Sequence, residues 1–298
     1  MSEKICIAAS SDEGYAMPIT VALHSAASQV SPDRDVVLYV LDAGIKPETR
    51  ARSEACLAAA HPKVSVEWVV ADTSDYDGFR ALRYTVATYL RMMVPDIISP
   101  DIDRLLYIDC DVVVDDDVSK LWALDFAGAP FLAVANPPGT YFHDRIGTKV
   151  AEVSAPADAP YFNAGVLLMN LPAWRDANVS QRALNILKKY DGQLSFLDQD
   201  ALNAVSVGAW GQLEERWNAQ AHRMKMRHKS VGITHYTSHK PWSPHYTGAR
   251  ANKFFRAYFR SGWDTKLKSA MWIAQRFLTQ NTLRNKNRMM RYLGLKTK

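Results

Sequence analysis

Arg104-Leu105-Leu106-Tyr107-Ile108-Asp109-Cys110-Asp111 holds an apolar run that stops abruptly at two carboxylates. The run from Arg104 to Ile108 is the most apolar strand candidate in the first half of the chain, as expected of a strand covered on both faces. The segments before it repeat the theme. Ile5 to Ala9 reads as a buried strand, Pro18 to Ala27 as a helix, Val36 to Leu41 as a strand, Pro47 to Ala60 as an Ala-rich helix, and Val64 to Val70 as a strand closed by Asp72. Tyr84 to Val94 has helical spacing and is expected to stop at Pro95. Strand and helix in alternation imply a parallel sheet with crossover helices, whose ligands bind outside the carboxyl ends of the strands. Further strands are expected at Phe131 to Ala135 and Val166 to Asn170, and helices at Ser180 to Tyr190 and Gln199 to Val205. Beyond Gly208 the pattern loosens into aromatic and basic loops as far as Gly262. No repeat or linker divides this body, so residues 1–262 are expected to form one domain and residues 263–298 an extension.

Composition narrows the class. A chain of 298 residues, 48% hydrophobic and 22% charged, has the make-up of an ordinary globular protein and excludes disorder and collagen-like sequence. No apolar stretch reaches the roughly 18 residues of a membrane-spanning helix, and Met1 to Lys4 begins no signal segment, so a cytoplasmic location is expected. Cys6, Cys56 and Cys110 are odd in number and widely spaced, which encodes neither a disulfide framework nor a thiolate zinc site.

Charge is distributed unevenly. From Trp263 to Lys298 nine basic residues face Asp264 alone, so the rest of the chain is mildly acidic although the whole carries +5. Leu267, Met271, Ala274 and Leu278 lie at helical spacing there, with Trp272 and Phe277 beside them. Such a basic amphipathic helix either packs on the body or lies on an anionic membrane surface, which adds peripheral attachment at the inner face of the cytoplasmic membrane to the expectations. It carries none of the recognised RNA-binding motifs, so nucleic acid is not an expected partner.

Asp109-x-Asp111 carries the chemistry. Side chains two apart on an extended chain point the same way, so both carboxylates can reach one hard cation such as Mg²⁺ or Mn²⁺ from a strand tip. Bare Asp-x-Asp pairs also mark acidic strand ends facing water, a reading that Asp115, Asp116 and Asp117 just beyond make credible.

Context decides between them. Leu105 to Val112, Tyr161-Phe162-Asn163-Ala164-Gly165-Val166-Leu167-Leu168-Met169-Asn170, Asp198-Gln199-Asp200-Ala201-Leu202-Asn203, and His235-Tyr236 to Lys240-Pro241-Trp242 occur in that order. Together with Ala8 to Tyr15 they resemble glycosyltransferase family 8, whose members include bacterial lipopolysaccharide galactosyl- and glucosyltransferases and glycogenin. The resemblance covers Lys4 to Trp242. It implies an α/β fold with a single Rossmann-like nucleotide-sugar-binding domain of the GT-A type, mostly parallel in its sheet, followed here by the basic helical tail.

The resemblance also implies roles. Asp109, Asp111 and His235 would hold the divalent metal, and an imidazole among the ligands suits Mn²⁺ better than Mg²⁺. Asp12, with Ala8 and Tyr15 in the same segment, would meet the uridine. Cys110 lies inside the metal motif, and Lys240 would contact the diphosphate as a point charge. Arg91 would hold donor sugar and phosphate, while Asn163, Ala164 and Asn136 would face the sugar. Asp198 would bind sugar hydroxyls. Gln199 would lie beneath the anomeric carbon, as an electrostatic stabiliser of the oxocarbenium-like state, because an amide is a poor nucleophile. Locally, Asp198 also reads as a helix N-cap, and Asn163-Ala164-Gly165 as a turn.

Three positions depart from the family pattern. Gly14 stands where many members have Asn, Asn136 where the lipopolysaccharide galactosyltransferases have Asp, and Ser238-His239 shortens the His-to-Lys spacing and removes its Gly. The expectation is therefore a retaining, metal-dependent hexosyltransferase that moves galactose or glucose from a UDP-hexose to a saccharide, most simply lipopolysaccharide or another glycolipid. Two alternatives accompany it. Ile108 to Val113 also fits a haloacid-dehalogenase-type phosphatase motif, and a degenerate site would leave a UDP-sugar- or glycan-binding domain without catalysis.

Overall fold

The structure, a computed structural model, describes residues 4–70, 72–76, 85–137, 139–147, 149–150, 152–223, 230–243, 246 and 250–292. Tyr84, Lys296 and Lys298, and the side chains of Arg284, Lys286, Arg288 and Arg291, lie outside the described residues. The elements run Ile5–Ser11 (β1), Ala16–Ala27 (α1), Val36–Asp42 (β2), Pro47–Ala58 (α2), Val64–Val70 (β3), Leu90–Ile97 (α3), Arg104–Ile108 (β4), Val112–Val114 (β5), Phe131–Ala135 (β6), Phe162–Asn170 (β7), Leu171–Asp176 (α4), Val179–Lys189 (α5), Leu197–Ser206 (α6), Gly211–Gln212 (β8), Ala219–Gln220 (β9), Ile233–His235 (β10), Ala251–Ser261 (α7) and Lys266–Tyr292 (α8).

Seven strands form the main sheet in the order β3-β2-β1-β4-β7-β6-β8, all parallel to their neighbours except β7, which is antiparallel to β4 and β6. The expected α/β class with a mostly parallel sheet is what forms. Burial on both faces explains the continuous apolar runs: Cys6 and Ala8 of β1 enter one core with Tyr107, while Ile5, Ile7 and Ala9 enter the other with Leu106 and Ile108. α3, α4, α5 and α6 cover the first core, and α1 and α2 cover the second. The order steps outward from β1 to β3 and returns at β4, so β1 and β4 flank the switch point where such sheets open a crevice.

Several local expectations change. α3 begins at Leu90, after a 3-10 turn at Val86–Thr88, and continues through Pro95 to Ile97. Pro95 is tolerated because the helix ends two residues later and Arg175 serves its exposed carbonyls, donating from Nε to Pro95 O at 2.6 Å and from Nη2 to Ile98 O at 3.3 Å. β7 starts at Phe162, so Asn163-Ala164-Gly165 is strand and not turn; its pairing with β6 jumps from Ala133↔Leu167 to Val134↔Asn163, a bulge that pushes the intervening residues out of the ladder. The stretch from Gly208 to Gly262, expected to be loops, contains β8, β9, β10 and α7. α7 forms because Ala251, Phe254, Phe255 and Tyr258 share one face and bury it against Val21, Val113 and Tyr236.

A second sheet, β5-β10-β9, lies beyond the end of β4. β10 runs antiparallel to β5 with His235 opposite Val112, and parallel to β9 with His235 opposite Gln220. Gly262 ends α7 in the left-handed region at φ 70°, which lets the chain turn back into α8. α8 then packs on α7 through Trp272, 4.6 Å from the Tyr258 ring, and Phe277, 5.1 Å from that of Phe255, while Gln280 donates to Pro241 O at 3.2 Å. Arg52 adds a 2.5 Å ion pair to Asp264. The stripe that stood out in the sequence faces the other way, with Leu267 71%, Met271 64% and Leu278 70% exposed. Among the described residues, no helix is long and apolar enough to cross a membrane.

Candidate active site

The carboxyl ends of β1 and β4, and the beginning of antiparallel β7, meet at one edge of the sheet. Asp109 follows β4 directly, and its N–H donates to Gly165 O at 2.8 Å, which ties the strand tip to the β7 bulge. Pairing of β5 with β10 brings His235 across from Val112, and the Tyr236 N–H donates to Asp111 O at 3.0 Å. One ligand atom from each of Asp109, Asp111 and His235 therefore lies within 4.8 Å of the others. His235 Nε2 stands 3.1 Å from Asp111 Oδ1 and 3.6 Å from Asp109 Oδ2. Two carboxylates and one imidazole could hold a divalent cation. The floor above them has no side chain: a Cβ on Gly165 would stand 2.2 Å from His235 Cε1 and 2.5 Å from Asp109 Oδ2.

Arg91 joins this cluster to the neighbouring helix. It is buried, with Nη2 3.0 Å from Asp109 Oδ1, Nη1 donating to Ala164 O at 2.7 Å, and Nε donating to Thr88 O at 3.3 Å. Nε also lies 2.7 Å from Asp198 Oδ2, too obliquely for a hydrogen bond, so that buried oxygen has no hydrogen-bond partner among the described residues. Asp198 Oδ1 accepts from Thr88 Oγ1 at 3.0 Å. Asp198 is not the N-cap of α6; Phe196 holds that position, and Asp198 sits one residue inside the helix with its side chain committed to Thr88 and Arg91. Burial pushes Asp198 up to about 6, Arg91 opposing and the Asp109 charge adding to the rise.

Gln199 is clamped on three sides. Oε1 accepts from Asn163 Nδ2 at 2.9 Å and from the Ala164 N–H at 3.1 Å, and Nε2 donates to Tyr161 Oη at 2.9 Å. Tyr161 in turn donates to buried Asp200, whose other oxygen accepts from the Phe196 N–H at 2.8 Å.

A cleft of about 310 Å³ is lined by Arg91, Asp109, Asp111, Asn136, Asn163, Asp198, Gln199, His235 and Lys240. It continues into a second cleft of about 170 Å³ lined by Ser10, Ser11, Asp12, Tyr15, Cys110 and Lys240 among others. Lys240 donates to Asp111 and, at 2.8 Å, to Tyr236 O. Burial disfavours ionisation of Asp111, but Lys240 and His235 outweigh it and hold its carboxyl well below the usual carboxylate range. Burial pushes the Cys110 thiol up, with Asp111 and Asp109 adding to it. Tyr15 stacks edge-on to Trp242 at 5.8 Å and closes this end.

Two expected site residues do not line either cleft. Ala8 is fully buried in mid-β1, and Ser10 and Ser11 at the strand's carboxyl end occupy the cleft wall. Ala164 is buried as well, its backbone spent on Arg91 and Gln199. Thr88, Arg145, Gln220, His222 and Arg223 also line the larger cleft, although no sequence motif marks them, and Asn218 lies behind it in a neighbouring cleft that Asn136, Gln220 and Arg223 share. Asn136 accepts from Gln220 Nε2 at 2.8 Å, a contact that depends on the placement of β9 and so leaves no trace in local periodicity.

The chain is similar to known proteins along most of its length. The chain is 30% identical to General stress protein A of Bacillus subtilis (strain 168) over 279 residues, which cover 87% of this chain and 94% of that protein. It is 27% identical to the Lipopolysaccharide 1,3-galactosyltransferase of Salmonella typhimurium over 225 residues, 74% of this chain and 64% of that one. The solved structure of the galactosyltransferase LgtC in complex with donor and acceptor sugar analogs matches with a TM-score of 0.72 at 27% identity, over 85% of this chain and 95% of LgtC. The fold is thus GT-A-like, with the helical C-terminal region added. Residues 6–245 match Glycosyl transferase family 8, and the chain belongs to that family.

Proposed function

We propose that the chain moves a hexose, galactose or glucose, from a UDP-sugar to a saccharide acceptor with retention of anomeric configuration, using Mn²⁺ in preference to Mg²⁺. The observation that carries this reading is the convergence of Asp109, Asp111 and His235 beneath Gly165, with Arg91 bridging to Asp198. A divalent cation held by those three side chains would neutralise charge on a departing diphosphate. Lys240, already within the cluster, adds a second positive charge for the phosphates. Asp12 and Tyr15 border the smaller cleft, where the uridine would lie.

Arg91 is anchored on both sides and can orient the sugar and the adjacent phosphate without moving. Asp198 borders the same cleft, paired to Arg91, where its carboxylate would meet sugar hydroxyls. Both lone pairs of Gln199 Oε1 are engaged by Asn163 and Ala164, which supports a fixed dipole under the sugar and argues against attack by that oxygen. Retention then follows from front-face attack, in which the acceptor hydroxyl gives its proton to the leaving diphosphate oxygen and no protein base is needed. Neither the fold nor the family lends support to a phosphatase.

The acceptor is proposed to be lipopolysaccharide or a related glycolipid. Residues 1–262 would form the catalytic unit, and the exposed Leu267, Met271 and Leu278 of α8, flanked by Lys266, Lys268 and Arg276, would rest on an anionic membrane. Incubation with UDP-galactose, UDP-glucose and UDP-N-acetylglucosamine tests the donor half. We expect Mn²⁺-stimulated UDP release from a hexose donor, lost in Asp111→Asn without unfolding. Phosphate release from an aryl phosphate without UDP formation, or binding of UDP-hexose without any turnover, would overturn it.

A further inference from the structure

Asn218 is buried between the two halves of the site, at the end of the Glu215–Asn218 turn that leads into β9. Its Oδ1 lies 2.8 Å from His235 Nδ1, and its Nδ2 donates to Asn163 Oδ1 at 2.8 Å and to Asn163 O at 3.4 Å. Backbone donors determine which way each amide faces. The Ala164 N–H can only donate, so the Gln199 atom it meets at 3.1 Å is the oxygen, and the Asn163 atom beside that oxygen at 2.9 Å is the nitrogen. The Gly165 N–H meets the Asn163 oxygen at 3.1 Å, and the second partner of that oxygen must be the nitrogen of Asn218. Asn218 therefore turns its oxygen to His235, and His235 carries its hydrogen on Nδ1. Nε2 is the ring nitrogen that faces Asp109 and Asp111.

We propose that Asn218 is a positioning residue that holds His235 in the tautomer needed for metal ligation, and couples that ring to the sugar-facing Asn163 through one carboxamide. The proposal rests on the metal-dependent reading above. Ligating imidazoles are generally oriented by a partner on their other nitrogen, and removing such a partner typically weakens metal binding by roughly 10- to 100-fold. Asn218 does this and also reaches across to the strand that would face the donor sugar. Two variants separate its arms. Asn218→Ala removes both. Asn218→Asp still accepts from His235 Nδ1 but has nothing to donate to Asn163.

The test uses the full chain and Mn²⁺ alone, with free Mn²⁺ followed by electron paramagnetic resonance. The ¹⁵N resonances of the His235 ring are recorded without metal, assigned by their loss in His235→Gln. KM for the UDP-hexose is measured alongside. We expect His235 to carry a hydrogen on Nδ1 in the unaltered chain and in Asn218→Asp, and Nδ1 to lose that fixed hydrogen in Asn218→Ala. Mn²⁺ affinity should fall roughly 10- to 100-fold in Asn218→Ala and stay near the unaltered value in Asn218→Asp, while KM rises in both. A His235 ring with no hydrogen on Nδ1 in the unaltered chain, or unaltered Mn²⁺ affinity in Asn218→Ala when Asp111→Asn loses it, would overturn the inference. A chain that binds no Mn²⁺ would instead remove the metal reading beneath it, and the tautomer would still decide the role of Asn218.

Discussion

Gly165→Ala adds a single methyl group at the most crowded point of the site. Its Cβ would stand 2.2 Å from His235 Cε1, 2.9 Å from His235 Nδ1 and 2.5 Å from Asp109 Oδ2. Non-bonded carbon atoms prefer roughly 3.5–4.0 Å, so the imidazole would have to retreat by more than about 1 Å. Gly165 cannot retreat instead, because its carbonyl accepts from Asp109 N at 2.8 Å and its N–H donates to Asn163 at 3.1 Å. The His235 backbone is paired to β5 on one side and β9 on the other. The side chains must therefore turn, which breaks the 2.8 Å bond to Asn218 and the 3.0 Å pairing of Asp109 with Arg91. Overpacking of this kind costs about 1–3 kcal/mol. At roughly 2–4 °C per kcal/mol for a large domain, the melting temperature should drop by a few to about ten degrees. Mn²⁺ affinity should fall at least tenfold, because two of its three ligands are displaced. Thermal unfolding and Mn²⁺ titration at 25 °C, where the variant is still folded, read the two effects separately. A Gly165→Ala protein with the original melting point and Mn²⁺ affinity would refute the packing of the three ligands against the β7 bulge.

Arg91→Lys should destabilise the fold by about 3–5 kcal/mol in urea unfolding, because one ammonium cannot reach Asp109, Asp198 and the Ala164 carbonyl together and buried Asp198 is left uncompensated; unchanged stability would show that the ion network is not formed. Asp198→Asn should reverse part of a pH effect. The folded value for Asp198 of about 6 lies above its ordinary 3.8, so its contribution to stability is complete below about pH 3.8 and is lost as pH rises through about 6. The Asn variant should gain on the order of 3 kcal/mol over the unaltered chain between pH 4 and pH 8, and a constant difference across that window would contradict the burial of this carboxylate. Leu267→Glu combined with Leu278→Glu should abolish sedimentation with anionic phospholipid vesicles while leaving the melting temperature and UDP-hexose hydrolysis unchanged, since both side chains are about 70% exposed; undiminished vesicle binding would dismiss α8 as the anchor.

Much of this molecule is legible from its chain alone. β1, β2 and β4 announce themselves as short apolar blocks because a parallel sheet covered on both faces tolerates little else, and edge strand β3 shows itself by alternation instead. Asp109 and Asp111 share a direction for a reason as local, the two-residue period of an extended chain. α7 could have been read from Ala251, Phe254, Phe255 and Tyr258, but the Gly and aromatic residues around it obscured the spacing. What periodicity cannot express is which distant segments meet. His235 reaches Asp111 only because β10 pairs with β5, Asn218 reaches His235 only because β9 pairs with β10, and the absence of a side chain at Gly165 acquires its reason only when both have arrived. The tail makes the same point from the opposite side. Helical spacing reveals that α8 has an apolar stripe of Leu267, Met271 and Leu278, but the aromatic surface of α7 selected Trp272 and Phe277 as its contacts and left that stripe open. Local preference and burial are properties of short segments, whereas a three-ligand site is a property of the pairing between them.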